Sequence, residues 1–401
     1  MNTLIATDRL SARAAALAAW PLFGGTSPTA PLGGGGIATS GDVLVNQTAD
    51  GVDLNAVWDE FREILDAWNT EVVSITDLLS FKTTQTAEAV PQNFATDSMD
   101  PASEIGVPTA TGGPGDALLV GFDLRDYDKR NVFTWRALKN MDLRQVQSQM
   151  DQLLHMDAKL TNGLILRRLF TPTRGRNEFG AVTYPLYDGV APGPPDYLGR
   201  TFPSTENHYI ASGASDIDSA DLEDAIRLIQ RKGFGTTSDS KIVVFCNPDE
   251  AEQIMAFRAG EESRPGGPVA KYDFIPANDA PPFLTPGGEL VGEQVPGNYF
   301  GVKVEGSYGP ALLVQSDYIP PQYALVAATY GPNAPRNVCA FREHPNPAYQ
   351  NLRLIAGNAG QYPLVESFTA RECGTGVRYR GGAVAIQVTS NTNYTAPAIA
   401  V

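Results

Sequence analysis

Few residues of this chain could carry chemistry, and their spacing decides what they could do. There are three histidines, His155, His208 and His344, and three cysteines, Cys246, Cys339 and Cys373. Serine catalysis needs Ser, His and Asp brought together, often with the nucleophile on a G-x-S-x-G elbow, and that motif is absent. The cysteines are odd in number and far apart, so they make neither a zinc spacing nor a disulfide framework, which fits a reducing site of synthesis. The run Gly33-Gly34-Gly35-Gly36 lacks the Lys-Ser/Thr that would complete a phosphate loop. Asp126 and Asp128 have calcium-loop spacing without the Gly and Glu that should follow, and read as a solvated loop. The histidines read as surface or polar-network residues. The reading is therefore of a chain with no catalytic, cofactor-binding or metal-binding residues: not an enzyme.

The elements that would position such groups point to another use. The chain has 401 residues, long enough for two or more compact units. Its charged fraction is 19% and its hydrophobic fraction 42%, a globular composition. The formal net charge of −15 makes it a poor general binder of nucleic acid and of anionic membranes. No apolar run reaches the ~18 residues of a bilayer span. Arg9 and Arg13 flank an Ala-rich patch that Trp20-Pro21 interrupts, which reads as no export signal. Thirty-nine glycines and thirty prolines demand many turns and long loops.

Residues 1–52 are Gly-, Ala-, Thr- and Pro-rich, and read as an arm that cannot fold alone. Leu54, Val57, Trp58, Phe61, Ile64, Leu65 and Trp68 recur at helical spacing. Residues 53–74 are thus a helix and a lead-in strand, and 75–115, with four prolines after residue 90, a projecting hairpin. Ala117–Phe122 reads as a strand. From Asp142 to Phe170 there is no Pro and one Gly, Gly163, with Leu143, Val146, Met150, Leu153, Leu154, Leu160, Leu164 and Ile165 on one stripe and Asp142 as N-cap. Such a helix would be roughly 40 Å long, a spine for a subunit shaped by its neighbours.

A second unit follows. Ser219 starts a helix that ends at Gly233, Lys241–Cys246 is a buried-type strand, and Asn247-Pro248-Asp249 caps a further helix, the pattern of an α/β centre. Residues 259–297 are a Gly/Pro-rich excursion. Strands are expected at Phe300–Val304, Ala311–Gln315, Tyr323–Thr329, Leu364–Thr369 and Ala383–Thr389. Between Phe122 and Glu178 eleven Lys/Arg meet seven Asp/Glu. This cationic stretch reads either as a helix face with ion pairs or as contact with acidic neighbours or a scaffolding partner.

This order of elements resembles the major capsid protein of tailed double-stranded DNA bacteriophages, a fold shared with encapsulin shells. Four stretches carry the likeness. Ala102–Pro108 (ASEIGVP) looks like the returning strand of the family's extended loop, and Asp126–Trp135 is similar to the lead-in to its spine helix. Val243–Asp249 (VVFCNPD) resembles the axial-domain strand and helix, and Gly376–Val384 (GVRYRGGAV) the terminal strand turn.

The resemblance implies an α+β fold with an N-terminal arm (1–52), an extended β-hairpin loop (75–115), a peripheral domain (116–216) with spine helix 142–170, an α/β axial domain (217–335) and peripheral C-terminal strands and tail (336–401). It implies a structural subunit that assembles as hexamers and pentamers into an icosahedral virion capsid around packaged DNA, without sequence-specific DNA contacts, cofactor or membrane. Expected partners are other copies, a portal, a maturation protease, a separate scaffolding protein, since no long charged N-terminal scaffold segment is present, and, as an option, a decoration protein. Synthesis would be in the bacterial host cytoplasm. An encapsulin-like cargo compartment and an enzyme built on the strand–Asn-Pro–helix unit are the alternatives. Some relatives cross-link through an isopeptide bond from a loop Lys to a neighbour's Asn, assisted by a Glu. Here the loop offers Lys82, with Asn346, Asn351 or Asn358 as acceptors and Glu343 or Glu366 as helpers. Its polar surround, Thr83-Thr84-Gln85, does not promise the neutral amine this chemistry needs, so a non-covalent shell is expected.

Overall fold

A computed structural model describes residues 48–70, 74–92, 101–102, 104–107, 117–138, 140–278, 294–356 and 364–401. The arm with its glycine run, most of the hairpin interior, residues 279–293 and Asn358 lie outside them. In chain order the elements are helix α1 (Leu54–Thr70), strands β1 (Ser80–Thr83), β2 (Ala87–Pro91), β3 (Ala117–Gly121) and β4 (Arg125–Thr134), a short α2 (Trp135–Leu138), and α3 (Leu143–Phe170). Then come β5 (Gly175–Arg176), β6 (Val182–Thr183), β7 (Tyr209–Ala211), α4 (Ser219–Arg231), β8 (Lys241–Cys246) and α5 (Pro248–Met255). The remainder is strand: β9 (Phe274–Pro276), β10 (Asn298–Tyr299), β11 (Val302–Lys303), β12 (Gly306–Tyr308), β13 (Ala311–Gln315), β14 (Tyr323–Thr329), β15 (Cys339–Glu343), β16 (Arg353–Ala356), β17 (Leu364–Val377) and β18 (Ala383–Gln387).

The chain divides into two compact units, one of residues 1–72, 125–160 and 344–373 and one of residues 73–124, 161–343 and 374–401. The first is built on helix-to-helix and helix-to-sheet packing. Val57, Phe61 and Leu65 of α1 meet Val146, Met150, Leu153 and Leu154 of α3, together with Phe133 and Leu352. The expected stripe is buried, but helix α1 covers it as well as a sheet. Asp142 caps α3, accepting a hydrogen bond from the Gln145 N–H at 3.0 Å. One polar residue departs from the pattern. Asp157 is buried on α3 and accepts both from Arg371 of β17 (2.7 and 2.9 Å) and from Trp68 Nε1 (3.0 Å), so its charge is paired rather than stranded. Strand β4 runs antiparallel to β17 over ten residue pairs, which places Asp126 and Asp128 on a strand and not in the solvated loop read from the sequence.

The second unit is organised by a seven-stranded sheet in the order β7-β18-β14-β8-β13-β12-β9. Strand β8 lies parallel to β13 and antiparallel to β14, so both its edges are paired. That explains its run Ile-Val-Val-Phe-Cys, buried throughout. Helix α4 covers one face with Leu222, Ala225, Ile226 and Ile229, and α5 adds Ala251 and Ile254. Asn247 Oδ1 caps α5 while its Nδ2 donates to Ile319 O at 2.9 Å. Two expectations change here. Ala383–Gln387, grouped above with the C-terminal strands of the peripheral domain, joins this sheet between β14 and β7. The strand expected at Phe300–Val304 is broken by a turn at Phe300-Gly301, and β10 and β11 form a small hairpin instead.

Gly163, the one glycine of α3, has a local reason. A Cβ there would sit 2.8 Å from the carbonyl oxygen of Ala400, so glycine lets the C-terminal tail lie directly on the helix. Tyr394 of that tail donates to Phe170 O at 2.8 Å, and Tyr323 donates to Thr395 O at 2.8 Å.

Candidate assembly surface

Most of the groups that could have been reactive are buried among other side chains. His208 is buried beside β7, with Nδ1 2.8 Å from Ala383 O and Nε2 3.6 Å from Glu206 Oε1. Lys232 is buried too, 2.9 Å from the same carboxylate oxygen, 2.6 Å from Thr201 O and over the Phe202 ring at 3.9 Å. Burial pushes the Glu206 carboxyl up, but the His208 and Lys232 groups beside it outweigh burial and hold it below its ordinary value. His155 is exposed on α3, and His344 packs edge-on against Tyr349. The cysteines are buried and none is in a disulfide, and burial raises the thiols of Cys246 and Cys339, the latter to about 12, far from the thiolate a nucleophile needs. Among the described residues no group of three or more His, Cys, Asp or Glu could hold a metal ion.

Lys82 lies on β1, which pairs in parallel with β15, and its Nζ is 3.9 Å from Glu343 Oε2. The amine is half-exposed and beside an acid of its own chain. Of the acceptor candidates, Asn346 caps the short helical turn at 347–349 through Ala348 N–H, and Asn351 has a left-handed backbone, φ +62°. Glu366 lies on β17 opposite Val132.

What the structure does build with care is the root of the β2–β3 hairpin. Strands β2 and β3 pair from Ala87–Gly121 to Pro91–Ala117. Beneath them Val90, Val120 and Phe122 pack with Phe81, Tyr184 and Ala340. Asn177 then ties three segments. Its Nδ2 donates to Thr86 O (2.8 Å) and Phe122 O (3.3 Å), and its Oδ1 accepts from the N–H groups of Phe179 (3.1 Å) and Ala181 (2.9 Å). Arg342, buried on β15, donates to Phe122 O at 2.9 Å and to Glu178 at 2.6 Å. Arg378 reaches Glu88 of β2 at 2.7 Å. Arg380, buried on the turn before β18, donates to Pro185 O at 3.1 Å and to Pro192 O, pairs with Asp188 at 3.3 Å, and lies over the Tyr184 and Tyr187 rings. Each of these side chains satisfies groups that burial would otherwise leave costly. None was singled out from sequence, although Arg378 and Arg380 stand in the Gly376–Val384 motif.

Beyond this root, apolar side chains face outward. Ile105 is 95% exposed and Val107 94%, both on the hairpin, and Phe179 on the Asn177 turn is 71% exposed. Exposed apolar side chains of this kind suit contact with protein.

The comparison with solved structures agrees. The chain is 38% identical to a chain from Mycobacterium phage Patience, over 92% of its own length and 97% of that chain, with a TM-score of 0.68. The chain belongs to the major capsid protein family of tailed bacteriophages. It is a structural shell subunit, and its place is the capsid. An encapsulin complex from Synechococcus elongatus (12% identity, covering 80% of this chain and 89% of that one, TM-score 0.42) and the mature capsid of bacteriophage PhiM1 (12%, 79% and 88%, 0.44) are too distant to add to the assignment. A scan against protein-family models and a search of curated proteins give no match. No helix among the described residues is long and apolar enough to cross a membrane.

Proposed function

We propose that this capsid protein assembles as hexamers and pentamers into an icosahedral shell whose subunits are joined without covalent bonds and catalyse no reaction. The observation that carries the reading is the full-length likeness to a phage chain; because that relative comes from a phage, a DNA-filled head is favoured over a cargo compartment. In this reading the seven-stranded sheet with α4 and α5 is the axial domain, helix α3 is the peripheral spine, and the β2–β3 hairpin lays Ile105 and Val107 on a neighbouring subunit. Lys82 is half-exposed and 3.9 Å from its own Glu343, not in the water-poor pocket that isopeptide chemistry needs. The net charge of −15 would keep packaged DNA from adhering to the wall. A scaffolding protein, a portal and a maturation protease are the partners such a shell would need, with synthesis in the host cytoplasm.

Negative-stain microscopy and size-exclusion of the purified chain test the assembly: capsomers or shells are expected, and a monomer at every concentration would refute it. Particles boiled in detergent should run as one band near 42.9 kDa, whereas a ladder would show cross-linking.

A further inference from the structure

Hairpin β10–β11 closes with two residues. Asn298 pairs with Lys303 and Tyr299 with Val302, leaving Phe300-Gly301 as the turn. Both turn residues have positive φ, +49° for Phe300 and +90° for Gly301. That is the turn whose twist matches the flanking strands, and Asn-Gly is its ordinary sequence. Glycine takes the second position without cost, and Asn298 Oδ1 accepts the Gly301 N–H at 2.6 Å. At the first position stands an aromatic residue, and a bulky side chain in the left-handed region is an outlier.

The chain's own packing does not explain that choice. The ring meets Tyr299 edge-on with centroids 4.8 Å apart and lies beside Gly331, where a Cβ would be 3.5 Å from it. Its outer part is left open, and Phe300 is 54% exposed. In the isolated subunit the residue is unfavourable twice, once for its backbone and once for its apolar surface in water. Such strain persists where it serves a contact or a mechanism.

The character of the contact follows from charge. The nearest cation on the hairpin, Lys303, is held by Glu305 at 2.7 Å, so the tip offers nothing to a polyanion such as DNA. Copies of a chain with a net charge of −15 repel one another on the whole, so uncharged groups must supply part of their adhesion. Large aromatics that become buried at the centre of an interface are the most effective of these. We propose that Phe300 anchors a second copy of this chain, its ring held outward by the left-handed turn and buried only when capsomers or shells form. The proposal rests on the shell reading above.

The test compares full-length wild type, Phe300→Asn and Phe300→Tyr by thermal unfolding of the subunit and by sedimentation across concentration. Asn suits the turn, so Phe300→Asn should unfold at the same temperature or a higher one. Its association should nevertheless need a concentration about tenfold higher or more. Phe300→Tyr keeps the aromatic surface and should associate like wild type. Unchanged association of Phe300→Asn overturns the proposal, as does a fall in its melting temperature that parallels the loss of association, since the ring would then be serving its own chain. A wild type that sediments only as monomer refutes the shell reading itself, a different failure.

Discussion

The seven-stranded sheet and the root of the β2–β3 hairpin belong to the same unit and are held together by opposite means. The sheet is dry. Val243, Val244, Phe245, Leu313, Val326 and Val384 are buried in it, and its polar backbone groups are consumed by strand pairing. The root is a set of buried polar side chains, Asn177, Arg342 and Arg380, each tied to backbone carbonyls of segments far apart in sequence. Apolar packing stabilises in proportion to area and has little directional demand. Hydrogen bonds to fixed carbonyls set angles. A sheet needs only to be filled, whereas the β2–β3 pair has its direction set by these bonds.

That contrast can be broken in several ways. Val244→Asp puts an unpaired carboxylate between two neighbouring strands and should cost more than about 4 kcal/mol. Urea unfolding should show little folded protein; a soluble, assembling variant would mean that the strand is not central. Arg380→Ala leaves two carbonyls without their donor and the Asp188 carboxylate with Arg174 as its remaining cation. It should cost about 3 kcal/mol, less than stranding a buried charge outright, and burial already pulls this guanidinium down to about 10. A loss below about 1 kcal/mol in the same unfolding experiment would show that the loop at 184–192 is held by packing alone.

Asn177→Ala should cost about 1–2 kcal/mol by taking the Oδ1 acceptor from the Phe179 and Ala181 N–H groups and one of two donors from the carbonyls of Thr86 and Phe122. Its sharper signature is local: amide exchange at Thr86, Phe179 and Ala181 should accelerate while the β8 amides stay protected. Uniform acceleration would erase the distinction between root and sheet.

The smallest effect concerns a polar group at the edge of the apolar region. Asp218 and Asp221 form the capping box of α4, and Arg264 holds Asp218 at 3.2 Å. Burial, then the Asp218 charge, pushes the Asp221 carboxyl from 3.8 up to about 7. A raised carboxyl binds its proton more tightly in the folded state. The stability this contributes is complete below about pH 4 and is lost as pH rises through 7. Asp221→Asn keeps the acceptor for the Asp218 N–H and should flatten stability between pH 4 and 8; an unchanged slope in unfolding titrations would assign it to other groups.

Much of the fold was written locally. The α3 stripe, the Asp142 and Asn247 caps and the buried run of β8 are periodicities and end signals confined to a few turns, and they survive in the structure because α1 covers the α3 stripe and α4 one face of β8, whose edges β13 and β14 pair. What the linear chain did not disclose lies in pairings between distant segments. Strand β4 reads as a charged loop until β17 supplies its ladder, and β18 joins the large sheet because β14 and β7 offer it edges. Asp157 finds Arg371 more than two hundred residues away. Phe300, apolar within an apolar run, reads as strand until the pairing of Asn298 with Lys303 forces a turn on it. Local sequence sets which faces are apolar and where helices stop. Which segment meets which face is decided by burial and hydrogen-bond satisfaction summed over the whole chain, and those sums exist only once it has folded.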